Sequence, residues 1–299
     1  MALIDPTAER VVLSPDERRL AVLDVINAAQ KRLILSLFRC DDRRILDALA
    51  AARRRGVRVE ALLTRRAKDR SNLKLLRLVL ECIGVRVWRS SDRFVKYHAK
   101  YMVADHGPAL VGSLNFTHKC FKKTSDFLVI THDPDVVSGL TTLFEIDSLT
   151  PGAALPRRLS PRLIIGPDLA RQQIAGLLAE ARHSIRIVDP KLSDPAMLAN
   201  LGAKAAAGIR VSVLGGRTVH GLASHGKLLL VDDRVAAIGS LALSARTLDD
   251  RREVALIVRN APGVNRLVDF FEAAELPDPA CTATWQHATS AAPSCCVAH

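Results

Sequence analysis

The stretch KYHAKYMVADHGPALVGSLNFT, residues 96 to 117, places a histidine two positions before a lysine and runs into a Gly-Ser turn. Side chains of a β-strand alternate between its two faces, so a strand here would direct His98 and Lys100 to the same side. A charged imidazole and an ammonium at that distance repel each other. The pair therefore predicts that an anion binds between them.

A second copy of this pattern, SHGKLLLVDDRVAAIGSLALS, occupies residues 224 to 244. One H-x-K-x4-D pattern arises by accident in only about a few per cent of chains this long, and two copies with matched downstream spacing do not. The chain is therefore an internal duplication with an interval of 127 residues (98 to 225). The matched pairs are His98 with His225, Lys100 with Lys227, Asp105 with Asp232, Gly112 with Gly239, Ser113 with Ser240, and Asp126 with Glu253.

Helices and strands alternate upstream of each copy. In the first half, Ser14 and Pro15 begin a helix that runs to about residue 29, and a second helix of about 42–55 stops at Gly56. The strands KRLILSLF and VRVEALL follow these helices, and the second half repeats the order with HSIRIVD and IRVSVL. This alternation predicts two α/β lobes whose helices cover a largely parallel sheet.

The boundaries follow from composition and from the repeat. We predict a first lobe at 1–149, a Pro-rich linker TPGAALPRRLSP at 150–161, a second lobe at 162–276 and a disordered tail at 277–299. The two lobes differ in length. Gly56 and Gly208, which end their second helices, are 152 residues apart, whereas the two His-x-Lys pairs are 127 residues apart. The first half therefore holds 25 extra residues ahead of its His-x-Lys pair.

Composition narrows the functional class. The 299 residues carry 43 Lys and Arg against 31 Asp and Glu, a net charge of +12, which favours a polyanionic partner. No apolar stretch approaches the roughly 18 residues of a membrane span, and no signal peptide is visible, so we expect a cytoplasmic protein. Six cysteines without C-x-x-C spacing predict neither a metal site nor a cofactor.

Two His–Lys pairs have a defined chemistry when they converge on one cleft about a pseudo-twofold axis. The lysines stabilise a phosphate, while one histidine attacks phosphorus and the other protonates the leaving oxygen. Each imidazole needs an acceptor on its far nitrogen, and Asp126 and Glu253 follow His98 and His225 at the same spacing. The anion predicted between the pairs is therefore a phosphodiester.

At this point the chain resembles the phospholipase D superfamily, whose mark is H-x-K-x4-D followed by G-S-x-N, usually twice. The resemblance covers roughly residues 15 to 275. It implies two pseudo-twofold related α/β/α lobes, one shared cleft, and a metal-independent, cofactor-free phosphodiesterase or phosphatidyltransferase that forms a covalent phosphohistidine. It further implies a monomer with His98 and His225 as nucleophile and acid/base (His98 favoured as nucleophile), Lys100, Lys227, Ser113, Ser240 and Asn115 as phosphate ligands, and Asp105 and Asp232 as structural residues.

One position departs from that pattern. Asn115 is matched 127 residues later by Ala242, so the second half lacks an amide donor. The loss of one such donor costs on the order of 10²–10³ in rate when nothing replaces it. The halves are therefore expected to be unequal, and a binding protein that has lost catalysis is a further alternative.

The substrate stays open between lipid and nucleic acid. GSLALSARTLDDRREVALIV resembles the phospholipase D and cardiolipin synthase-like branch and favours phospholipid at an anionic membrane surface, with peripheral contact. GSLNFT resembles the small endonucleases of the superfamily, and the charge of +12 suits DNA or RNA. Lipid phosphodiester chemistry is the preferred reading and nuclease activity the alternative.

The extra residues of the first half form a basic segment. Residues 64 to 97 contain ten Lys or Arg against three acids, and a leucine-rich run predicts a packed helix from about 70 to 83. One interpretation is that this helix only covers the sheet. The other is that the loop before it collects the polyanionic substrate through Arg65, Arg66, Lys68 and Arg70.

Overall fold

The computed structural model describes residues 9–67, 69–156, 159–216, 218–275 and 283–284. Lys68 and, apart from residues 283–284, the predicted tail at 277–299 lie outside the described residues. Within the described part of the predicted linker, 150–156 and 159–161, there is no helix or strand.

Each half of the chain contributes seven strands to one central sheet, and a short eighth strand from the first half joins the second sheet. Strands are numbered in chain order. The first sheet has the order β1 (Arg10–Val12), β9 (Leu128–Thr131), β7 (Ala109–Gly112), β6 (Tyr101–Ala104), β2 (Arg32–Leu37), β3 (Arg58–Leu63) and β4 (Arg86–Arg89). The second has the order β10 (Leu163–Gly166), β17 (Arg251–Val258), β16 (Val235–Gly239), β15 (Leu228–Val231), β11 (Ser184–Val188), β12 (Arg210–Leu214) and β18 (Ala283–Thr284).

Helices cover these sheets in the same sequence in both halves. The first half contains α1 (Pro15–Ala28), α2 (Arg43–Arg54), α3 (Arg70–Cys82), α4 (His118–Lys122) and α5 (Pro134–Leu149). The second contains α6 (Ala170–Glu180), α7 (Pro195–Ala206), α8 (Ala245–Asp250) and α9 (Ala261–Glu275). Six strands of the two sheets follow one order, and the predicted duplication of an α/β lobe is confirmed. The last strand differs, because β4 is parallel to β3 while the C-terminal β18 is antiparallel to β12. The α3 helix has no counterpart in the described second lobe.

The direction of the strands corrects one prediction. We expected largely parallel sheets, but each sheet is mixed. In the first lobe β2, β3 and β4 run parallel, while β6, β7, β9 and β1 add on in antiparallel pairs. The reason is that the His-x-Lys strand and the Gly-Ser strand are joined by a tight turn and form a hairpin, which requires antiparallel pairing.

Side-chain caps begin the helices where the sequence predicts them. Ser14 accepts a hydrogen bond from the N–H of Asp16 at the start of α1. Asp42 and Asp194 cap α2 and α7, the matched second helices of the two lobes, and Asp69 caps α3. These caps satisfy N–H groups that a helix start leaves without partners, so local sequence fixes the helix boundaries.

Three apolar clusters hold the molecule together. One lies in each lobe, between its sheet and its covering helices. The third combines residues of both lobes, such as Val111 and Val129 with Ile238 and Val254. A shared core fixes the relative position of the two sheets, which a cleft built from both lobes requires. No helix among the described residues is long and apolar enough to cross a bilayer.

Candidate active site

The two histidines occupy matched gaps between strands. His98 and Lys100 lie between β5 (Lys96–Tyr97) and β6, not inside one continuous strand as predicted. The Lys100 ammonium donates to the backbone oxygen of His98 at 2.7 Å. Each lysine is thus held against the backbone of its own histidine, since Lys227 makes the same contact with His225.

Each imidazole is bonded to the carboxylate of the other lobe. His98 Nδ1 lies 3.0 Å from Glu253 Oε2, and His225 Nδ1 lies 2.8 Å from Asp126 Oδ1. Equal spacing in the sequence associates each carboxylate with the histidine of its own half, and the structure corrects that association. A carboxylate on Nδ1 favours the tautomer with the proton on that nitrogen, which leaves the Nε2 lone pair for chemistry.

Two short strand pairs between the lobes cause the crossing. β5 pairs in parallel with β17, in register Arg251 with Lys96 and Arg252 with Tyr97, so the next residues are Glu253 and His98. In the other direction β14 (Leu222–Ser224) pairs in parallel with β8 (Thr124–Ser125). The residues that follow this second pair are His225 and Asp126. One reciprocal contact between lobes therefore builds both histidine–carboxylate pairs.

Gly226 allows one of these approaches. A Cβ at this position would lie 2.4 Å from a ring carbon of Phe127 and 2.9 Å from the backbone oxygen of Ser125. The N–H of Gly226 donates to that same oxygen at 2.7 Å. The first lobe has Ala99 at the matched position, so the glycine reflects the closer packing at His225.

Buried hydrogen bonds hold the carboxylate of Asp126. Ser113 and Thr124 donate their hydroxyls to it at 2.6 and 2.5 Å. Arg18, which is fully buried, donates to the backbone oxygens of Thr124 and Asp126 at 2.5 and 2.9 Å. The acceptor of His225 is therefore held in place by hydrogen bonds within the first lobe.

Arg252, which directly precedes Glu253 in the chain, holds the strand that carries this second carboxylate. Arg252 is fully buried and forms ion pairs with Asp147 at 2.9 Å and with Asp168 at 2.6 Å. Its backbone oxygen accepts the N–H groups of both His98 and Ala99, at 2.8 and 3.0 Å. The side chain thus anchors the strand from which Glu253 reaches His98.

Burial sets the protonation of the first pair. Desolvation lowers the pKa of His98 to about 3, although the charge of Glu253 opposes the shift. Desolvation likewise lowers the pKa of Lys100 to about 7, and the charge of Lys227 adds to it. The pKa of Glu253 lies below its ordinary value, because His98 and Lys100 outweigh the cost of its burial. At neutral pH His98 is therefore an unprotonated imidazole beside a carboxylate.

The second pair is more open. The His225 side chain is 28% exposed, against 11% for His98. Desolvation lowers the pKa of His225 too, while Asp126 opposes the shift. The pKa of Asp126 lies below its ordinary value, because the interactions with His225 outweigh its burial. The two histidines thus share one bonding pattern but differ in access to the cleft.

Asp105 and Asp232, the aspartates of the two H-x-K-x4-D motifs, lie at the strand ends away from the histidines. Asp105 accepts the backbone N–H groups of three successive residues, 30 to 32, at 2.7 to 2.9 Å. Asp232 does the same for residues 182 to 184. Both aspartates have a positive φ, 49° and 51°. Each carboxylate therefore ties a tight turn to the start of the neighbouring strand.

The predicted phosphate ligands behave differently from one another. Ser113 donates to Asp126, and Ser240 contacts the backbone of Val254, so direct phosphate contacts by these hydroxyls stay predictions. Asn115 is 9% exposed, and its amide oxygen is buried without a hydrogen-bond partner. At the matched place of the second lobe, Ala242 is buried and offers no donor. The unpartnered atom is an acceptor, so donation by the Asn115 amide N–H groups to a phosphate stays a prediction.

A cavity of about 500 Å³ opens on this side of the cleft. His225 and Asn115 lie in its wall, and His98, Lys100 and Lys227 do not. Part of the wall is the α3 helix, which belongs to the extra segment of the first half. The apolar members of the wall are Phe38, Leu46, Leu73, Leu75, Leu76 and Val79.

Further cations surround the histidines, and their place in the site was not recognised in the sequence. The Lys96 ammonium lies 4.3 Å from the centre of the Phe38 ring, and Lys100 lies 5.5 Å from it. Phe38 contacts the His98 ring edge-on at 4.8 Å. Desolvation, and then the charges of Arg251 and Lys191, lower the pKa of Lys96 to about 8. The alternation of side chains along a strand could have placed Lys96 on the same face as His98 and Lys100. No feature of the neighbouring sequence identifies Lys191 as a residue of the site.

One group of side chains has metal-ligand geometry among the described residues. The ligand atoms of Cys120, Asp126 and His225 all lie within 4.8 Å of one another. Asp126 and His225 already share a 2.8 Å hydrogen bond, which accounts for their approach. We therefore assign to Asp126 the role of orienting the His225 ring.

The comparisons with known proteins agree with this geometry. Residues 22–148 match the family model described as "Cardiolipin synthase, PLD-like domain". Cardiolipin synthase A of Pseudomonas aeruginosa (strain LESB58) is 32% identical over 129 residues, which are 42% of this chain and 26% of that protein. Polyphosphate kinase of Mycobacterium bovis (strain BCG / Pasteur 1173P2) is 29% identical over 293 residues, 82% of this chain and 37% of that protein.

The fold has relatives along its whole length. The structure of phosphatidylserine synthase from Haemophilus influenzae Rd KW20 superimposes with a TM-score of 0.72 at 14% identity and covers 97% of this chain and 90% of that one. The chain spans only 26% to 37% of the length of the two curated relatives. The family model matched by the first half, the duplicated motif and the duplicated fold together support membership of the phospholipase D superfamily.

Proposed function

We propose that the protein is a phosphodiesterase that forms a covalent phosphohistidine and hydrolyses or transfers phosphatidyl groups of phospholipids. The observation that carries the proposal is the pair of crossed hydrogen bonds, His98 to Glu253 and His225 to Asp126. Two imidazoles with a carboxylate on Nδ1 and a free Nε2 are a nucleophile and an acid/base in one cleft.

In the first step Nε2 of His98 attacks phosphorus, and the bond from phosphorus to the leaving oxygen breaks. His225 gives its Nε2 proton to that oxygen. Binding of the negatively charged phosphate raises the pKa of His225. His225 therefore carries in the complex the proton that it holds only weakly in the free protein. Glu253 stabilises the positive charge that develops on the His98 ring, as its 3.0 Å contact permits.

In the second step His225 accepts a proton from water or an alcohol, whose oxygen attacks phosphorus while the bond to His98 breaks. Lys100 and Lys227 stabilise the charge on the non-bridging oxygens in both steps, and Asn115 donates its amide to one of them. The order assigns attack to the more buried histidine and proton transfer to the one with more access.

Phospholipid is the favoured substrate because the matching family model and one sequence relative carry the name cardiolipin synthase. The leucines of α3 in the cavity wall beside His225 also suit a lipid, while the rest of that wall is largely polar. We expect the protein to work at an anionic membrane surface from the cytoplasmic side, as a monomer. The net charge of +12 keeps nuclease activity as the alternative.

The test is a turnover and trapping experiment in EDTA. Phosphatidylcholine and phosphatidylglycerol vesicles, single- and double-stranded DNA, RNA and inorganic polyphosphate are offered separately, with bis-p-nitrophenyl phosphate as a soluble reference. We expect turnover of phospholipid and an acid-labile, base-stable phosphoenzyme that disappears in His98→Ala. His225→Ala should still release p-nitrophenol once, because this leaving group needs little protonation, and should then accumulate the phosphoenzyme.

Three results would overturn or revise the proposal, each in a different part. A strict metal requirement would exclude the histidine mechanism and direct attention to Cys120, Asp126 and His225. Label that persists in His98→Ala and vanishes in His225→Ala would reverse the two roles. Turnover of nucleic acid alone would keep the mechanism and replace the substrate class.

A further inference from the structure

Four further cations lie around the two histidines, in addition to the lysines of the two motifs. They are Arg39, Lys96, Lys191 and Arg251. None of the four forms an ion pair with a carboxylate among the described residues, and the two carboxylates of the site, Glu253 and Asp126, are bonded to the histidines. Cations that a fold holds together repel each other, so such a group predicts an anionic ligand between its members.

Lys96 and Arg251 lie next to the His98–Glu253 pair. They are partners in the parallel pairing of β5 with β17, two residues before His98 and Glu253 respectively. The Lys96 ammonium lies 4.3 Å from the centre of the Phe38 ring, and the centre of the His98 ring lies 4.8 Å from it. Alternation along β17 places the Arg251 side chain on the same face as Glu253. The two cations therefore lie about 6.5 Å along the strands from the histidine–carboxylate pair, the length of two residues.

Arg251 also holds a hydrogen-bond donor that the protein does not use. Its Nε is buried and has no hydrogen-bond partner among the described residues. Buried N–H groups are nearly always bonded, and a guanidinium can only donate. The unpartnered Nε therefore points to an acceptor that a ligand supplies.

The pair of cations on β5 and β17 has no equivalent beside His225. There β14, which also pairs with β13 (Thr218–Val219), brings Ala223 opposite Thr124 at the matched positions. Neither residue is charged, so this extra positive charge lies on the side of His98. A substrate that complements it carries a second negative charge on one side of the scissile phosphate.

Arg39 and Lys191 occupy matched places in the two lobes. They are 152 residues apart, the interval that also separates the ends of the second helices, and they follow β2 and β11. Two and three residues after each cation, backbone N–H groups donate to one oxygen, that of Phe116 in the first lobe and that of Leu243 in the second. Asp189, near Lys191, is buried and accepts two backbone N–H groups rather than the ammonium. The duplication thus places one exposed cation on this loop of each lobe.

We propose that Lys96 and Arg251, with the exposed Arg39 and Lys191 beside them, bind a second phosphate group of the substrate. The inference rests on the proposed function and narrows its substrates to phosphodiesters that carry such a group. The second phosphate is joined to the scissile one directly, as a phosphoanhydride, or across a short carbon linker, as in a phospholipid whose headgroup is itself phosphorylated. Ammonium and guanidinium groups bind either form through charge-assisted hydrogen bonds.

The test measures binding without turnover. Wild-type protein is titrated calorimetrically, at constant ionic strength, with methylphosphonate, methylenediphosphonate or propane-1,3-diphosphonate, none of which has a phosphate ester to cleave. We expect one of the diphosphonates to bind about tenfold to hundredfold more tightly than methylphosphonate, the effect of a further hydrogen bond between charged groups. Tighter binding of methylenediphosphonate would indicate a phosphoanhydride substrate, and tighter binding of propane-1,3-diphosphonate would indicate a carbon linker.

Matched variants locate the second phosphate. The double variant Lys96→Gln/Arg251→Gln should bring the ratio of diphosphonate to methylphosphonate affinity near unity, with circular dichroism to check its fold. Lys191→Gln, on an exposed loop, should lower the ratio about twofold to fivefold and keeps the test decisive if the double variant does not fold. The control Arg182→Gln/Arg234→Gln removes the same charge at the far strand ends and should keep the wild-type ratio.

A ratio near unity in the wild type, or equal ratios in the double variant and its control, would overturn the proposal. So would a double variant that loses affinity for phosphatidylglycerol vesicles and keeps the wild-type diphosphonate ratio, because the cations would then serve a membrane surface. The readouts keep this proposal distinct from the proposed function. Turnover and the trapped phosphoenzyme test the function, whereas the diphosphonate ratio is measured in a protein that performs no reaction.

Discussion

The two lobes share a scaffold and differ in what they bring to the substrate. Both have six strands in the same order, a histidine between two strands, a motif aspartate that ties a turn, and a carboxylate that crosses to the other lobe. They differ at Asn115 against Ala242, at the exposure of the two histidines, and at α3, which has no counterpart among the described residues of the second lobe. The features common to both lobes thus build the two histidine–carboxylate pairs. The features that differ make the surroundings of the two histidines unequal.

The largest expected effects come from the crossed carboxylates. Glu253→Gln should lower kcat by about 10²–10⁴-fold through slower formation of the phosphoenzyme, because it deprives His98 of its orientation and of its charged partner. With bis-p-nitrophenyl phosphate, whose leaving group needs little protonation, Asp126→Asn should lower kcat similarly but let phosphoenzyme accumulate, because His225 accepts the proton of the entering water or alcohol. Rapid-quench measurement of the label distinguishes the two steps.

A pairing within each lobe would give the reverse assignment, so an exchange of the two phenotypes would contradict the crossing. The variants also differ in expected stability. Asp126 accepts hydroxyls from Ser113 and Thr124, so Asp126→Asn should lower Tm more than Glu253→Gln. Equal Tm losses would contradict that difference.

A smaller asymmetry is expected at the amide donor. Asn115→Ala should lower kcat about 10²-fold, since it removes the Asn donor at this motif position and nothing equivalent stands at Ala242. Ala242→Asn should leave kcat near the wild-type value or raise it, with circular dichroism to check that the buried site accepts the larger side chain. A silent Asn115→Ala would mean that the phosphate is held by other groups.

The sequence predicted most of this scaffold and missed how its halves meet. The helix starts at Ser14 and at about residue 42 depend on neighbours within a few residues, so the sequence pattern alone located them. The crossing depends on β5 with β17 and β14 with β8, pairs of two residues that join positions more than 90 apart. The mixed direction of the sheets follows from hairpins that alternation does not reveal.

The features of the site that differ between the two lobes were partly predictable from the sequence. The leucine-rich α3 was predicted at about 70–83 and is found at Arg70–Cys82. Its role as a cavity wall was not predicted, because apolar periodicity does not say whether a face meets a core or a ligand. Lys191 had no local signal at all, since it reaches the site only through the fold that brings it near Lys227.

The pH dependence offers a third comparison of the lobes. Burial lowers the pKa of Lys100 to about 7, so its charged form is lost as the pH rises through that value. We expect kcat/KM for bis-p-nitrophenyl phosphate to fall about fivefold from pH 7 to pH 8. The corresponding fall of kcat should occur at a higher pH, because bound phosphate favours the ammonium. Lys100→Arg should remove the fall, because a guanidinium stays charged, and Lys227→Arg should keep it. A fall that survives in Lys100→Arg belongs to another group.

The smallest effect is expected from the basic loop before α3, for which substrate collection is a prediction. Arg65 and Arg66 lie 3.3 and 3.7 Å from Asp92, which neutralises part of their charge, and Arg70 is exposed at the start of α3. A basic residue near an anionic membrane contributes roughly 1 kcal/mol. Replacing these three arginines by Gln should therefore weaken binding to phosphatidylglycerol vesicles only about fivefold to tenfold and should flatten its salt dependence.

The control for this last prediction removes the same charge elsewhere. Arg182, Arg210 and Arg234 are exposed around the turn that Asp232 ties, at the strand ends opposite His225. Their triple replacement by Gln changes the net charge equally, so a general loss of positive charge would affect both triples alike. A specific role of the loop requires that the Arg65, Arg66 and Arg70 variant lose more vesicle binding and more salt dependence than the control. Equal behaviour of the two triples would leave α3 and its loop as a cover for the sheet and as the wall of the cavity, with no part in collecting the substrate.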